Sequence, residues 1–157
     1  MIIVTKEAYN ILSEHSKSEL LAAVFGTPKK LSCEGSEFGF SDGDWVDVAR
    51  LTPGQVESLI DDATSLYEGT KAALKLIAED GPILHSTEIK EKCVDDSGTP
   101  YWEDLGKFQG GTTRRVRAVT GNKHAMLLAW PDWEDGEGYY GVTRETYRAL
   151  RIYFKLD

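Results

Sequence analysis

Apolar side chains recur at helical spacing through several stretches of the chain, separated by turn residues and short apolar runs. The clearest stretch follows Thr52-Pro-Gly-Gln55. There Thr52 can cap, Pro53 takes a first-turn position where its missing N–H costs nothing, and Gln55 completes a capping box. Val56, Leu59, Ile60, Ala63, Leu66 and Tyr67 then repeat on one face, predicting an amphipathic helix. A second helical pattern over 71–80 places Ala73, Leu74, Ile77 and Ala78 together and stops at Gly81-Pro82. Gly69 either separates these two patterns or lies within one long helix, since a mid-helix glycine costs only about 1 kcal/mol. After a short extended piece, Ser86 is placed to cap a helix that uses Ile89, Cys93 and Val94. Tyr147, Leu150 and Phe154 follow Thr143 in the register of a last capped helix. Toward the N-terminus, residues 1–5 form a β-branched run suited to an edge strand. Two helical pieces follow, carrying Ala8, Ile11 and Leu12, then Leu20, Leu21, Val24 and Phe25, with a stop at Gly26-Thr-Pro28.

Alternating apolar positions on either side of Asp42-Gly43 predict a hairpin over 37–49. The apolar run 124–130, an acidic turn over 131–138 and the run 139–142 predict another. Between them, Leu105–Gly121 is expected to form a short basic helix, with Thr112 or Thr113 as its cap and Gly121 as its terminator. Residues 113–119 also fit a strand that turns at 120–123 into Ala125–Trp130; seven residues are too few for periodicity to separate the two. Tyr101, Trp102, Leu105 and Phe108 supply apolar bulk to seat this helix. These elements give an α+β fold, mostly helical with short antiparallel hairpins. They divide into an N-terminal α/β extension over 1–68 packed on the core, and a module over 69–157.

Charge sharpens that division. The 157 residues carry a net charge of −8. Residues 1–70 hold 5 basic and 12 acidic side chains, and residues 71–157 hold 13 and 14. Yet 105–125 contains Lys107, Arg114, Arg115, Arg117 and Lys123 and no acid. An acidic body with a local cationic patch suits an anionic partner at that patch. The longest apolar runs fall far short of the roughly 20 residues that span a bilayer, and no charged-then-apolar leader opens the sequence, so a cytoplasmic protein without membrane contact is expected. Cys33 and Cys93, with no CxxC, are read as reduced, buried thiols.

The run Ala73-Leu-Lys-Leu-Ile-Ala-Glu-Asp-Gly-Pro-Ile-Leu-His-Ser-Thr-Glu-Ile-Lys-Glu-Lys-Cys93 resembles the first two helices of winged helix-turn-helix domains. It has an apolar helix, a glycine-containing break, a short extended segment and a capped second helix. In that resemblance, which covers about 70–142, Leu105–Gly121 takes the place of the third, recognition-type helix and Ala125–Val142 that of the wing. The resemblance implies binding to double-stranded DNA, with Arg114, Arg115 and Arg117 as contacts and Lys107, Thr112, Thr113 and Lys123 beside them. Arginine suits guanine edges and phosphates equally, so these residues alone assign no sequence readout. On a helix Arg114 and Arg117 lie near one face, and Arg115 is turned by about 100° from Arg114. The competing reading is that these arginines pair with the protein's own acids, such as Asp61, Asp62, Glu103 or Asp104.

No catalytic constellation emerges. His15, His85 and His124 stand at no zinc-binding spacing. There is no GxSxG elbow and no phosphate-loop glycine pattern. Asp42, Asp44 and Asp47 lack the following Glu of a calcium loop. The expectation is therefore a non-enzymatic regulatory protein without metal or cofactor. The alternative is an acidic interaction module or inhibitor that docks on a basic protein, in the manner of a phage-encoded DNA mimic blocking a nucleic-acid-handling enzyme. Its surface would be Asp42, Asp44 and Asp47 together with Asp132, Trp133, Glu134, Asp135 and Glu137.

Overall fold

The structure, a computed structural model, describes residues 40–61, 66–131 and 137–156. All of them belong to one compact unit, Cys33–Asp157. The strand and helices expected over 1–25, Cys33, the first arm of the 37–49 hairpin, Ala63 of the helix expected after Thr52, and the acidic tip 132–136 lie outside the described residues. Within them the chain runs α1 (Pro53–Asp61), α2 (Glu68–Asp80), β1 (Ile83–His85), α3 (Ser86–Lys92), α4 (Gly106–Thr120), β2 (Tyr139–Gly141) and α5 (Arg144–Tyr153). It is a mixed fold of helices around a small antiparallel sheet.

Helix α1 begins as its sequence dictates. Gln55 Oε1 accepts from Thr52 N at 3.0 Å, and Gln55 N donates to Thr52 Oγ1 at 3.3 Å, so the capping box is closed in both directions. Val56, Leu59 and Ile60 are buried against α4 and α5. Leu66 and Tyr67 do not extend α1; Tyr67 stands at the N-terminus of α2. Gly69 sits in the first turn of α2, where a Cβ would come within 2.7 Å of Tyr101 Cβ and Cγ, so only glycine admits that ring. Gly81, at φ 143°, ends α2.

Three expected elements take other forms. Around Asp42-Gly43 the chain makes a 3-10 turn, Asp42–Trp45, closed by Asp44 Oδ2, which accepts from Ser41 N and Ser41 Oγ at 2.7 Å. The expected second hairpin arm instead gives Val48 a parallel bridge to Met126. At α3 the cap is His85 rather than Ser86: Thr87 N donates to His85 Nδ1, and Glu88 Oε2 accepts from His85 N. Ser86 is held elsewhere, because it is fully buried and exchanges bonds with Gly138, its N donating to Gly138 O and its Oγ accepting from Gly138 N. Val94 lies beyond α3 in a bridge to Pro100.

The run 124–130 is not a regular strand. Leu127, Leu128 and Ala129 are buried in succession, which breaks the alternation of a half-exposed strand, while His124 is exposed and Met126 and Trp130 are half-buried. Only Ala129 pairs as a wing strand would, trading backbone bonds of 2.7 and 2.9 Å with Gly141. On its other edge β2 pairs antiparallel with β1 through Ile83–Gly141, Leu84–Tyr140 and His85–Tyr139. Gly141 thus has neighbours on both edges. Trp45 covers its face, and a Cβ there would lie 2.7 Å from Trp45 Cη2. Phe40, Trp45, Val48, Ile83, Ala129 and Tyr139 form a small cluster at this point.

Residues 49–51 are fastened to the start of α5. Thr143 Oγ1 and Thr146 Oγ1 both donate to Ala49 O, and Leu51 N donates to Thr146 Oγ1. Thr143 also caps α5, accepting from Thr146 N. Cys93 is a free, buried thiol, pushed up to about 11 by burial, which leaves it inert at neutral pH. Among the described residues, no helix is long and apolar enough to cross a membrane.

Candidate functional site

Helix α4 carries the cationic run within the expected span Leu105–Gly121, but starts ahead of the cap expected at Thr112 or Thr113. It begins at Gly106, whose N–H donates to Asp104 Oδ1 at 2.9 Å, and it continues through Gly110-Gly111. Two interior glycines cost a helix about 1 kcal/mol each. Packing outweighs that cost: Phe108, Thr112 and Val116, spaced four residues apart, are buried in the core, and the Phe108 ring lies 5.2 Å from that of Trp102. The helix ends at Gly121, in the left-handed region at φ 68°, as expected.

Two residues expected at the interface are reassigned. Thr112 neither caps the helix nor reaches solvent. It is buried, and its Oγ1 donates back to the Phe108 and Gln109 carbonyls at 3.0 Å. Arg115, on the inner side of α4, is half-buried and donates through Nη1 to Leu59 O at 3.3 Å, near the carbonyl end of α1.

Arg114 and Arg117 are placed differently. Both are exposed, and together with Gly106, Gln109, Gly110 and Thr113 they line one face of α4. That face forms one wall of an open groove of about 570 Å³, whose other wall is Met126 and Trp130. Arg117 is steadied by a 3.2 Å bond from its Nε to Ala125 O. Among the described residues, neither Arg114 nor Arg117 forms an ion pair. Of the acids named as their possible internal partners, Asp104 holds the start of α4, Glu103 is exposed, Asp61 accepts from Tyr153 at 2.6 Å, and Asp62 lies outside the described residues. Lys107 and Lys123 are exposed to either side without lining the groove.

Sequence reasoning missed the second wall. Met126 and Trp130 lie in the run taken for a wing strand, where an aromatic looks like a packing anchor. The usable signal was the spacing 106, 110, 113, 117, which puts small residues and Arg117 on one helical face. Of the acidic residues named for the alternative surface, four fall within the described residues. Asp42 and Asp47 are exposed and Asp44 is committed to the 3-10 turn, while Glu137 is exposed at the start of the segment leading to β2. Asp132, Trp133, Glu134 and Asp135 lie outside the described residues.

The arrangement offers two guanidinium groups, without an ion pair among the described residues, facing one aromatic and one thioether side chain across a concave, accessible surface. No protein-family model, curated protein or solved structure matches this chain.

Proposed function

We propose that this chain is a non-enzymatic, nucleic-acid-binding regulatory protein built on a winged-helix-like module, with α4 as its binding helix. The observation that carries the reading is the pair Arg114 and Arg117. In a chain of net charge −8, both stay exposed and without an acidic partner among the described residues. A cation that the fold does not neutralise is free to displace counterions from phosphate. The element order supports the same reading: α2, β1, α3 and α4 follow one another, and β2 then returns to pair with β1. Thr113 beside the arginines adds a hydroxyl suited to a phosphate oxygen, and Lys107 and Lys123 extend the positive surface.

Titration of a labelled duplex by fluorescence anisotropy across a salt series tests this. Affinity should fall as salt rises, with a log–log slope of about −0.9 per neutralised phosphate. Replacing Arg114 and Arg117 together by Ala should remove most of the binding and flatten the slope by about 2. Absence of binding at low salt both to the duplex and to its separated strands, or binding indifferent to both arginines, would reject the proposal.

A second reading, docking on a basic protein, is favoured by one observation. Val46, just past the 3-10 turn and between Asp44 and Asp47 in the chain, is an apolar residue 77% exposed. Capture of a basic partner that is lost on Asp42→Asn with Asp47→Asn would support it.

A further inference from the structure

We infer that the groove between α4 and residues 126–130 takes an unpaired nucleotide, so that the preferred ligand is a single strand rather than a duplex. This rests on the nucleic-acid reading above and names its ligand class. In duplex recognition a protruding element enters a groove of the DNA, about 12 Å wide on the major side. Here the two guanidinium groups flank a hollow in the protein, and its far wall is Trp130 and Met126. The ligand therefore enters the protein.

Each wall matches one part of a nucleotide. Arg114 and Arg117 stand three residues apart on α4, both exposed at the rim, where they meet consecutive backbone phosphates. Trp130 presents an indole, and Met126 a polarisable thioether, to whatever occupies the space between. A base within a duplex is stacked on both faces and shows only its edge, so it has no π-face for Trp130. An unpaired base does, and aromatic stacking is the ordinary source of sequence-tolerant affinity for single strands. Gly106 and Gly110 keep the helix side of the groove shallow, with no atom within 4 Å of a Cβ built at Gly110. The volume, about 570 Å³, falls within the range of sites that enclose one small ligand and is far below what a duplex occupies.

The test uses the full chain at one low salt concentration, with three labelled DNA probes: a mixed-sequence single strand of about a dozen nucleotides, its duplex, and the same strand made abasic. The intact strand should bind at least about tenfold tighter than the duplex. The abasic strand should be weaker than the intact one by about fivefold to about a hundredfold, the span of one base–aromatic stack. Trp130→Ala should lower affinity for the intact strand by a similar factor while leaving the abasic strand unchanged, and Trp130→Phe should restore most of it. A duplex that binds as tightly as the strand, or an abasic strand that equals the intact one, overturns this inference and leaves the nucleic-acid reading standing. Failure of every probe to bind overturns both. The probe comparison on the unaltered chain decides the matter even where Trp130→Ala does not fold.

Discussion

Arg115 donates through Nη1 to the carbonyl of Leu59 at 3.3 Å, while its neighbour Arg114 faces solvent with no ion pair among the described residues. One residue of rotation about α4 thus divides two identical side chains between holding the fold and presenting charge. Arg115 ties α4 to α1 through the Leu59 carbonyl. Arg114 remains with Arg117 at the groove.

That division predicts opposite phenotypes. Arg115→Ala should cost about 1.5–3 kcal/mol, the usual range for a hydrogen bond made by a charged group. Arg114→Ala should leave stability within about 0.5 kcal/mol, as surface substitutions do, and should weaken nucleic-acid binding. Chemical denaturation and anisotropy titration of both variants check this; equal loss of stability in the two would refute the assignment.

Gly141 and Gly69 are close-approach positions. Gly141→Ala would set a methyl group against Trp45 Cη2 at 2.7 Å and Phe40 Cζ at 3.3 Å, and Gly69→Ala would meet Tyr101 and Tyr67 below 3.0 Å. Each should cost about 1–3 kcal/mol by overpacking, read as a lowered denaturation midpoint. Gly141→Ala combined with Trp45→Ala should show coupling, since the second change removes the obstruction.

How much of this was legible in the sequence depends on the range of each interaction. The Thr52–Gln55 box, the Thr143 cap and the stops at Gly81 and Gly121 are settled within four residues, and all four stand where local chemistry puts them. The cap of α3 slipped from Ser86 to His85 because Ser86 is claimed by Gly138, 52 residues away. Residues 124–130 resemble a strand since they are apolar, but the consecutive burial of Leu127, Leu128 and Ala129 breaks the alternation of a half-exposed strand. At the groove, the cations were visible as an acid-free run, whereas the Trp130 wall depends on how two distant segments come together.

Alkaline pH should loosen the fold. Burial pushes Cys93 from its ordinary 9.0 to about 11. Burial, then the bond to Asp61, pushes Tyr153 from 10.0 to about 12, and burial does the same for Tyr140. Each group is an acid whose folded pKa is raised, so the native state holds the proton more tightly than the unfolded chain. The stability it lends is complete below the unfolded value and is lost as pH rises through the folded one. Denaturation midpoints should therefore hold to about pH 9 and decline steadily toward pH 12. Tyr153→Phe should flatten the upper part of that decline, above pH 10; a profile unchanged by it would refute the linkage.

Gly110 and Gly111 offer the opposite case to Gly69. Both lie inside α4 with negative φ and with nothing within 4 Å of a built Cβ, so alanine meets no obstruction there. Ala is favoured over Gly in a helix interior by about 0.8–1.0 kcal/mol, partly because it restricts the unfolded chain. Gly111→Ala should accordingly raise stability by about that amount. It does not line the groove, so nucleic-acid affinity should stay within about twofold. Gly110→Ala should stabilise to a similar degree, yet its methyl group enters the groove between Arg114 and Gly106. A helix made firmer by both changes but a ligand weakened by only one would separate the groove from general properties of α4, by thermal denaturation and single-strand titration on the same preparations. If both variants bind like the unaltered chain, the groove is not where the ligand sits.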